Sequence, residues 1–198
     1  MARSNSKLSR SFYNRPTLEV ASDLLGKYIV YESPDGRLSA RIVEVEAYIG
    51  QDDPACHASR GQTKRNAIMF GPPGFSYIYF IYGMYHCLNF VTEDEGKPAA
   101  VLLRAAEPSD GVELMQQRSS KSRPHELLNG PGKFCRAFGL NRSQNNCDLT
   151  NSELYLEDHQ EKVPDIKQSH RIGIRLGADL LWRFYDGSSK SVSKPRQK

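Results

Sequence analysis

The run Arg37-Leu38-Ser39-Ala40-Arg41-Ile42-Val43-Glu44-Val45-Glu46-Ala47-Tyr48 alternates apolar and polar residues. That is the pattern of a strand, whose successive side chains point to opposite faces. On strict alternation Leu38, Ala40, Ile42, Glu44, Glu46 and Tyr48 share one side, so an apolar face gives way to two carboxylates and a ring. Upstream, Ser33-Pro34-Asp35-Gly36 links this run to another β-rich one at residues 27–32. The Asp-Gly pair supplies the positive φ angles of a tight turn, which predicts an antiparallel hairpin. Further upstream, Pro16-Thr17 followed by Leu18, Val20, Ala21, Leu24 and Leu25 predicts a short helix with Thr17 as N-cap and Gly26 as its stop.

Downstream, residues 49–75 carry Gly, Pro, Asp, Arg and Thr without a period, a stretch long enough to be read as a functional loop. Three more strands are expected at residues 77–82, 85–92 and 99–105, with Gly83-Met84 at the first turn. Helices are expected at 109–117 and 130–138, the second with Pro131 in its first turn and Gly139 at its end, and strands at 154–156, 171–176 and 181–185. Many short strands, few helices and no β-α-β alternation predict an α+β fold built on a curved antiparallel sheet. One domain over residues 11–187 is expected, flanked by flexible basic tails at 1–10 and 188–198, which are rich in Ser, Lys and Arg and lack acids.

Lys plus Arg exceed Asp plus Glu by 27 to 23, a net charge of +4 that suits a nucleic-acid partner without requiring one. Cys56, Cys87, Cys135 and Cys147 are dispersed and form no C-x-x-C pair, which argues against structural zinc and for a reducing, intracellular setting. No apolar leader is seen, and the apolar runs end well short of the roughly 20 residues a membrane helix needs. An intracellular monomer without a membrane span is expected.

Spacing leaves two readings of the acidic strand: a structural ion pair, or a functional acid whose burial is tolerated because chemistry needs it. Tyr48 and His57 follow Glu46 closely, so an acid and flat rings could converge on one pocket suited to a planar, cationic ligand. A metal site built from Glu44, Glu46, His57 and His86 is the alternative, though these residues match no recognised ligand spacing. The run Arg60-Gly61-Gln62-Thr63-Lys64-Arg65-Asn66 mixes cations, a hydroxyl and amides suited to phosphate oxygens, or to nothing more than solvation. Tyr77, Tyr79, Tyr82 and Tyr85 crowd one hairpin, with Tyr82 at the expected turn, where its ring would project as a wedge. A lyase would need an activated Lys, for which Lys133 is the one candidate.

Together these segments resemble a family. Residues 41–48, Gln62-Thr63-Lys64-Arg65-Asn66 with Met69-Phe70, and the tyrosine hairpin are similar to the alkyladenine (3-methyladenine) DNA glycosylases of the mammalian, methylpurine type. So are residues 101–108, Gly130-Pro131 with Lys133, and His170-Arg171-Ile172-Gly173-Ile174, in order along nearly the whole chain. The resemblance implies a compact, monofunctional bacterial enzyme of base excision repair, working without metal or cofactor on double-stranded DNA that contains damaged purines. Cytoplasm is implied for a bacterial source and nucleus for a eukaryotic one. Residue by residue, Glu46 is implied as the general base, and Arg104 as the group that helps place the water and the acid. Tyr48, His57 and Tyr79 would enclose the extruded base, with Asn89 policing exocyclic groups. Tyr82 would fill the vacated stack, and Thr63, Arg65 and Met69 would touch the surrounding DNA. The same basic loop and wedge would also serve a non-catalytic binder of damaged DNA; Glu46 and Arg104 separate the two readings.

Overall fold

A computed structural model describes residues 6–119 and 121–193. The strands are β1 (Ser6–Lys7), β2 (Tyr28–Ser33), β3 (Gly36–Ile49), β4 (Ser76–Ile81), β5 (Tyr85–Val91), β6 (Ala99–Pro108), β7 (Leu154–Asp158), β8 (Ile166–Ser169) and β9 (Arg183–Asp186). The helices are α1 (Arg10–Tyr13), α2 (Thr17–Leu24), α3 (Val112–Arg118), α4 (Pro124–Leu127) and α5 (Pro131–Phe138). The strands form one antiparallel sheet in the order β1-β7-β2-β3-β6-β5-β4, as the α+β expectation requires. β9, paired with β8, also pairs with β3. No helix among the described residues is long and apolar enough to cross a membrane.

β3 is the hinge of this arrangement. Its first half pairs with β2, its second half with β9, and β6 runs along its other side. Along the β3–β6 ladder the register shifts twice. β3 advances from Ile42 to Glu44 while β6 steps from Ala106 to Ala105; β3 then moves to Val45 while β6 passes to Leu103. Val43 and Arg104 are therefore each the extra residue on their strand, and such bulges re-aim side chains. The main core takes Leu38, Ala40 and Ile42 before the shift but Val45 and Ala47 after it. Glu44, Glu46 and Tyr48 consequently lie on the face opposite Leu38, Ala40 and Ile42. This corrects the single shared face that strict alternation predicts.

The core side of the sheet is covered by α2, α3 and α5, which contribute Val20, Leu24, Met115, Phe134 and Phe138. The other face carries a smaller cluster of Cys56, Ala58, Met69, Tyr77, Val91 and Ala100, with Tyr48 and Tyr79 packed against it. The long loop after β3 roofs this second cluster, so Met69 is 2% exposed and acts as a packing residue.

Several local expectations need revision. The β2–β3 turn pairs Ser33 with Gly36, so its central residues are Pro34 and Asp35, and only Gly36 has a positive φ, +133°. Thr17 lies inside α2 and is not its cap; its hydroxyl donates to Glu93 Oε1 at 2.6 Å. Residues 171–176 form no strand: the Arg171 side chain and the Ile172 N–H are drawn to Asp53 and Glu46, and the strand lies instead at Ile166–Ser169. The terminal segments expected to be tails are anchored where they are described. β1 pairs with β7, Arg10 bridges Asp148 at 2.6 Å, and Ser191 and Ser193 are buried. The outermost parts of both expected tails lie outside the described residues.

Candidate active site

The register shift delivers two carboxylates to the small-cluster side, flanked by β6 and β9. Glu46 is 0% exposed. Its Oε1 accepts the backbone N–H of Ile172 at 2.6 Å, and its Oε2 accepts the Tyr48 hydroxyl at 2.8 Å. The Arg104 guanidinium is paired to the same Oε2 through Nη1 at 3.2 Å. A carboxylate offers about four acceptor positions, so these three donors leave room for one more. Burial pushes the Glu46 carboxyl up from its ordinary value, while Arg104, the Ile172 N–H and the Tyr48 hydroxyl pull it back. Burial outweighs the three donors, so the net direction in this dry setting is upward.

Glu44 is the more heavily committed acid. Oε1 accepts Arg104 Nε at 2.9 Å, Arg183 Nε at 2.7 Å and the Ser193 hydroxyl at 2.7 Å, and Oε2 accepts the Ser193 N–H at 2.5 Å. Four donors saturate it, so Glu44 is a structural hub and Glu46 the carboxylate with capacity to spare. Two guanidiniums already neutralise the pair, which gives a metal cation no electrostatic reason to bind there. Two open clefts elsewhere, one bounded by Phe12, Lys27 and Ile166 and one by Leu18, Leu181 and Trp182, share no residue with this constellation.

The rings gather beside the acid. Tyr48 is half-buried, and its hydroxyl donates to Glu46 Oε2, which seats the phenol against the carboxylate. His57 Nδ1 lies 2.9 Å from the Tyr77 hydroxyl, and its ring meets Tyr79 edge to face at 4.6 Å. His57 is exposed, but desolvation where its ring packs on Tyr77 and Tyr79, with the nearby Arg65, pushes its pKa down to about 4, so the ring is neutral near pH 7. Asn89 is buried, and its amide donates to the Tyr77 carbonyl across the ladder at 3.0 Å. Thr63 and Arg65 are exposed on the loop, with the Arg65 guanidinium 5.3 Å from the Tyr79 ring. Asn66 knots that loop by donating to the carbonyls of His57 and Gly61 and accepting the N–H of Thr63.

The tyrosine hairpin projects as expected. Tyr82 occupies the turn with φ 54° and is 74% exposed, with Phe80 and Met84 exposed beside it. Next to its turn, where Tyr85 pairs with Ile81, the Tyr85 ring packs so closely on Gly132 in α5 that a Cβ there would lie 2.6 Å from it. Lys133 is exposed and donates to Asn129 at 2.6 Å.

Sequence reasoning overlooked the supports. Arg171 makes a two-pronged ion pair with Asp53, at 2.6 and 2.8 Å, both side chains wholly buried, and donates to the Ala47 carbonyl at 2.9 Å. Its guanidinium is sandwiched by Tyr48 at 4.7 Å and Trp182 at 5.1 Å. A signal was present for Arg183, a single cation inside the run Leu180–Tyr185, since a buried cation requires a buried acid; Arg171, preceded by Gln168-Ser169-His170, carried none. Which acid each would meet is a tertiary fact.

A family profile described as methylpurine-DNA glycosylase (MPG) matches residues 11–190. A protein of Methanocella arvoryzae named "Putative 3-methyladenine DNA glycosylase" is 55% identical over 94% of this chain and 96% of its own. Proteins of the same name from Sodalis glossinidius and Alkaliphilus oremlandii are 52% and 45% identical, over 91% and 95% of this chain and 97% and 99% of theirs.

Proposed function

The chain belongs to the methylpurine-DNA glycosylase family, and from that membership we propose that Glu46 activates the water that hydrolyses the glycosidic bond of a flipped purine. The protein is thus a DNA glycosylase that removes alkylated bases in base excision repair. The observation that carries the proposal for Glu46 is its setting: fully buried, paired with Arg104, and with one acceptor position unfilled.

Chemistry in a duplex requires extrusion of the target nucleotide, and damaged bases cost less to extrude. Tyr82, exposed at the hairpin tip, is the group to fill the gap. Tyr48, His57 and Tyr79 enclose the base, and Thr63 and Arg65 meet the backbone on the exposed loop. A neutral His57 suits a cationic purine, which a protonated ring would repel. An alkylated purine is already positively charged and leaves readily. Its departure gives the sugar oxocarbenium character, which the Glu46 carboxylate stabilises while taking a proton from water. The Tyr48 phenol lies over that carboxylate, so base entry against its ring opens the path for the water. No part of this requires a metal.

Replacing Glu46 with Gln is expected to lower single-turnover release of methylated purines from duplex DNA by about 10²–10⁴-fold. Binding to a duplex carrying an abasic analogue should stay within a few-fold of the parent. Retained turnover would overturn the assignment.

A further inference from the structure

The C-terminal segment beyond β9 turns back under the acidic strand. Ser193 meets the Glu44–Arg104–Arg183 cluster with three groups: its N–H and hydroxyl both donate to Glu44, its carbonyl accepts Arg183 Nη2 at 3.2 Å, and its Oγ accepts Arg104 Nη2 at 3.1 Å. Ser193 is 5% exposed, so these bonds form away from bulk water. The edges of the Arg104 guanidinium are thereby apportioned. Nε goes to Glu44, Nη2 to Ser193 and Nη1 to Glu46. A planar fork held at two of its nitrogens has its third direction fixed.

We propose that Ser193 is a positioning residue for excision: through its hydroxyl it fixes the Arg104 guanidinium, which in turn holds Glu46 in its reactive place. The inference rests on the reading of Glu46 as the base. Glu44 gains a function from it, since one carboxylate and one serine together clamp the arginine that serves the other carboxylate. Removing only the hydroxyl leaves the backbone N–H and carbonyl of residue 193 in their bonds, so the strap stays seated while the guanidinium gains freedom to swing.

The test compares the parent with Ser193→Ala and Ser193→Thr, using methylated duplex DNA in single-turnover release across pH 5–9. Binding to a duplex with an abasic analogue and near-ultraviolet circular dichroism are followed in parallel. Ser193→Ala should release base about tenfold more slowly, with DNA affinity within twofold and an unaltered spectrum. Its acidic limb should lie at higher pH than the parent's, because a loosened Arg104 favours ionised Glu46 less. Ser193→Thr, which keeps a hydroxyl, should recover most of the rate. An unchanged rate and limb in Ser193→Ala would overturn the proposal, as would a Thr variant no better than Ala. So would a lost native spectrum in Ser193→Ala, which would make the residue merely structural. If Glu46→Gln also turns over normally, the reading of Glu46 fails; if Glu46→Gln is inactive and Ser193→Ala is normal, only the role of Ser193 fails.

Discussion

Each charged group at the site is defined by what surrounds it, and the pH behaviour follows from that. Glu46 must be ionised to accept a proton, and its pKa is raised by burial, so excision should fall away on the acidic side earlier than for an ordinary carboxylate. His57 titrates the other way. Its pKa is pushed down from 6.5 to about 4 in the folded protein, so between those values the unfolded chain binds more protons. Stability should therefore rise with pH across that window and lose this contribution as pH falls through it. We expect the His57 resonances, followed by nuclear magnetic resonance, to titrate near pH 4; a midpoint near 6.5 would mean that neither the packing on Tyr77 and Tyr79 nor Arg65 disfavours the charged ring. At this scale Glu46, Tyr48, His57, Tyr79 and Arg104 could be picked out as candidates through their motifs. Ser193 was not, because a Ser- and Lys-rich composition resembles a solvated tail, and only the fold reveals that its end is buried against Glu44.

Elements governed by local chemistry were the readable ones. Both hairpins announced themselves by Gly at their turns, and α5 by Pro131 at its start and Gly139 at its end, where φ is +70°. The bulge was not readable, since an extra residue in β3 has meaning only against a matching one in β6, far along the chain. Residues 171–176 carry strand-like composition but are drawn out of any ladder, Arg171 by Asp53 and the Ile172 N–H by Glu46. The tyrosine hairpin yields a prediction of its own. Tyr82 holds a positive φ, which costs a non-glycine residue about 1–2 kcal/mol, while its exposed ring packs on little. Tyr82→Gly should therefore leave the thermal midpoint within a few degrees of the parent while weakening binding to damaged duplex by about 10–100-fold, the scale of losing one stacked ring. Thermal denaturation and fluorescence anisotropy check the two halves. A wedge in name only would leave both unchanged.

Across the whole molecule, the site is a meeting of distant segments. The loop after β3 and the segment after β8 are joined beneath Tyr48 by the buried Asp53–Arg171 pair. Asp53→Ala would strand a buried guanidinium, which costs about 3–5 kcal/mol. At about 2–4 °C per kcal/mol for a chain of this size, the melting temperature should drop by about 6–20 °C, read by calorimetry. Base release should fall with it even where the variant remains folded, because Ile172 and Tyr48 both lose their footing. A drop smaller than 2 °C would show the pair to be dispensable. The same long-range assembly bears on synthesis. Glu44 and Glu46 leave the ribosome before the groups that hold them, since Arg104, Ile172, Arg183 and Ser193 follow over an interval of many residues. A nascent chain therefore carries an unshielded acid pair until the segments that supply Arg104, Ile172, Arg183 and Ser193 have all followed it.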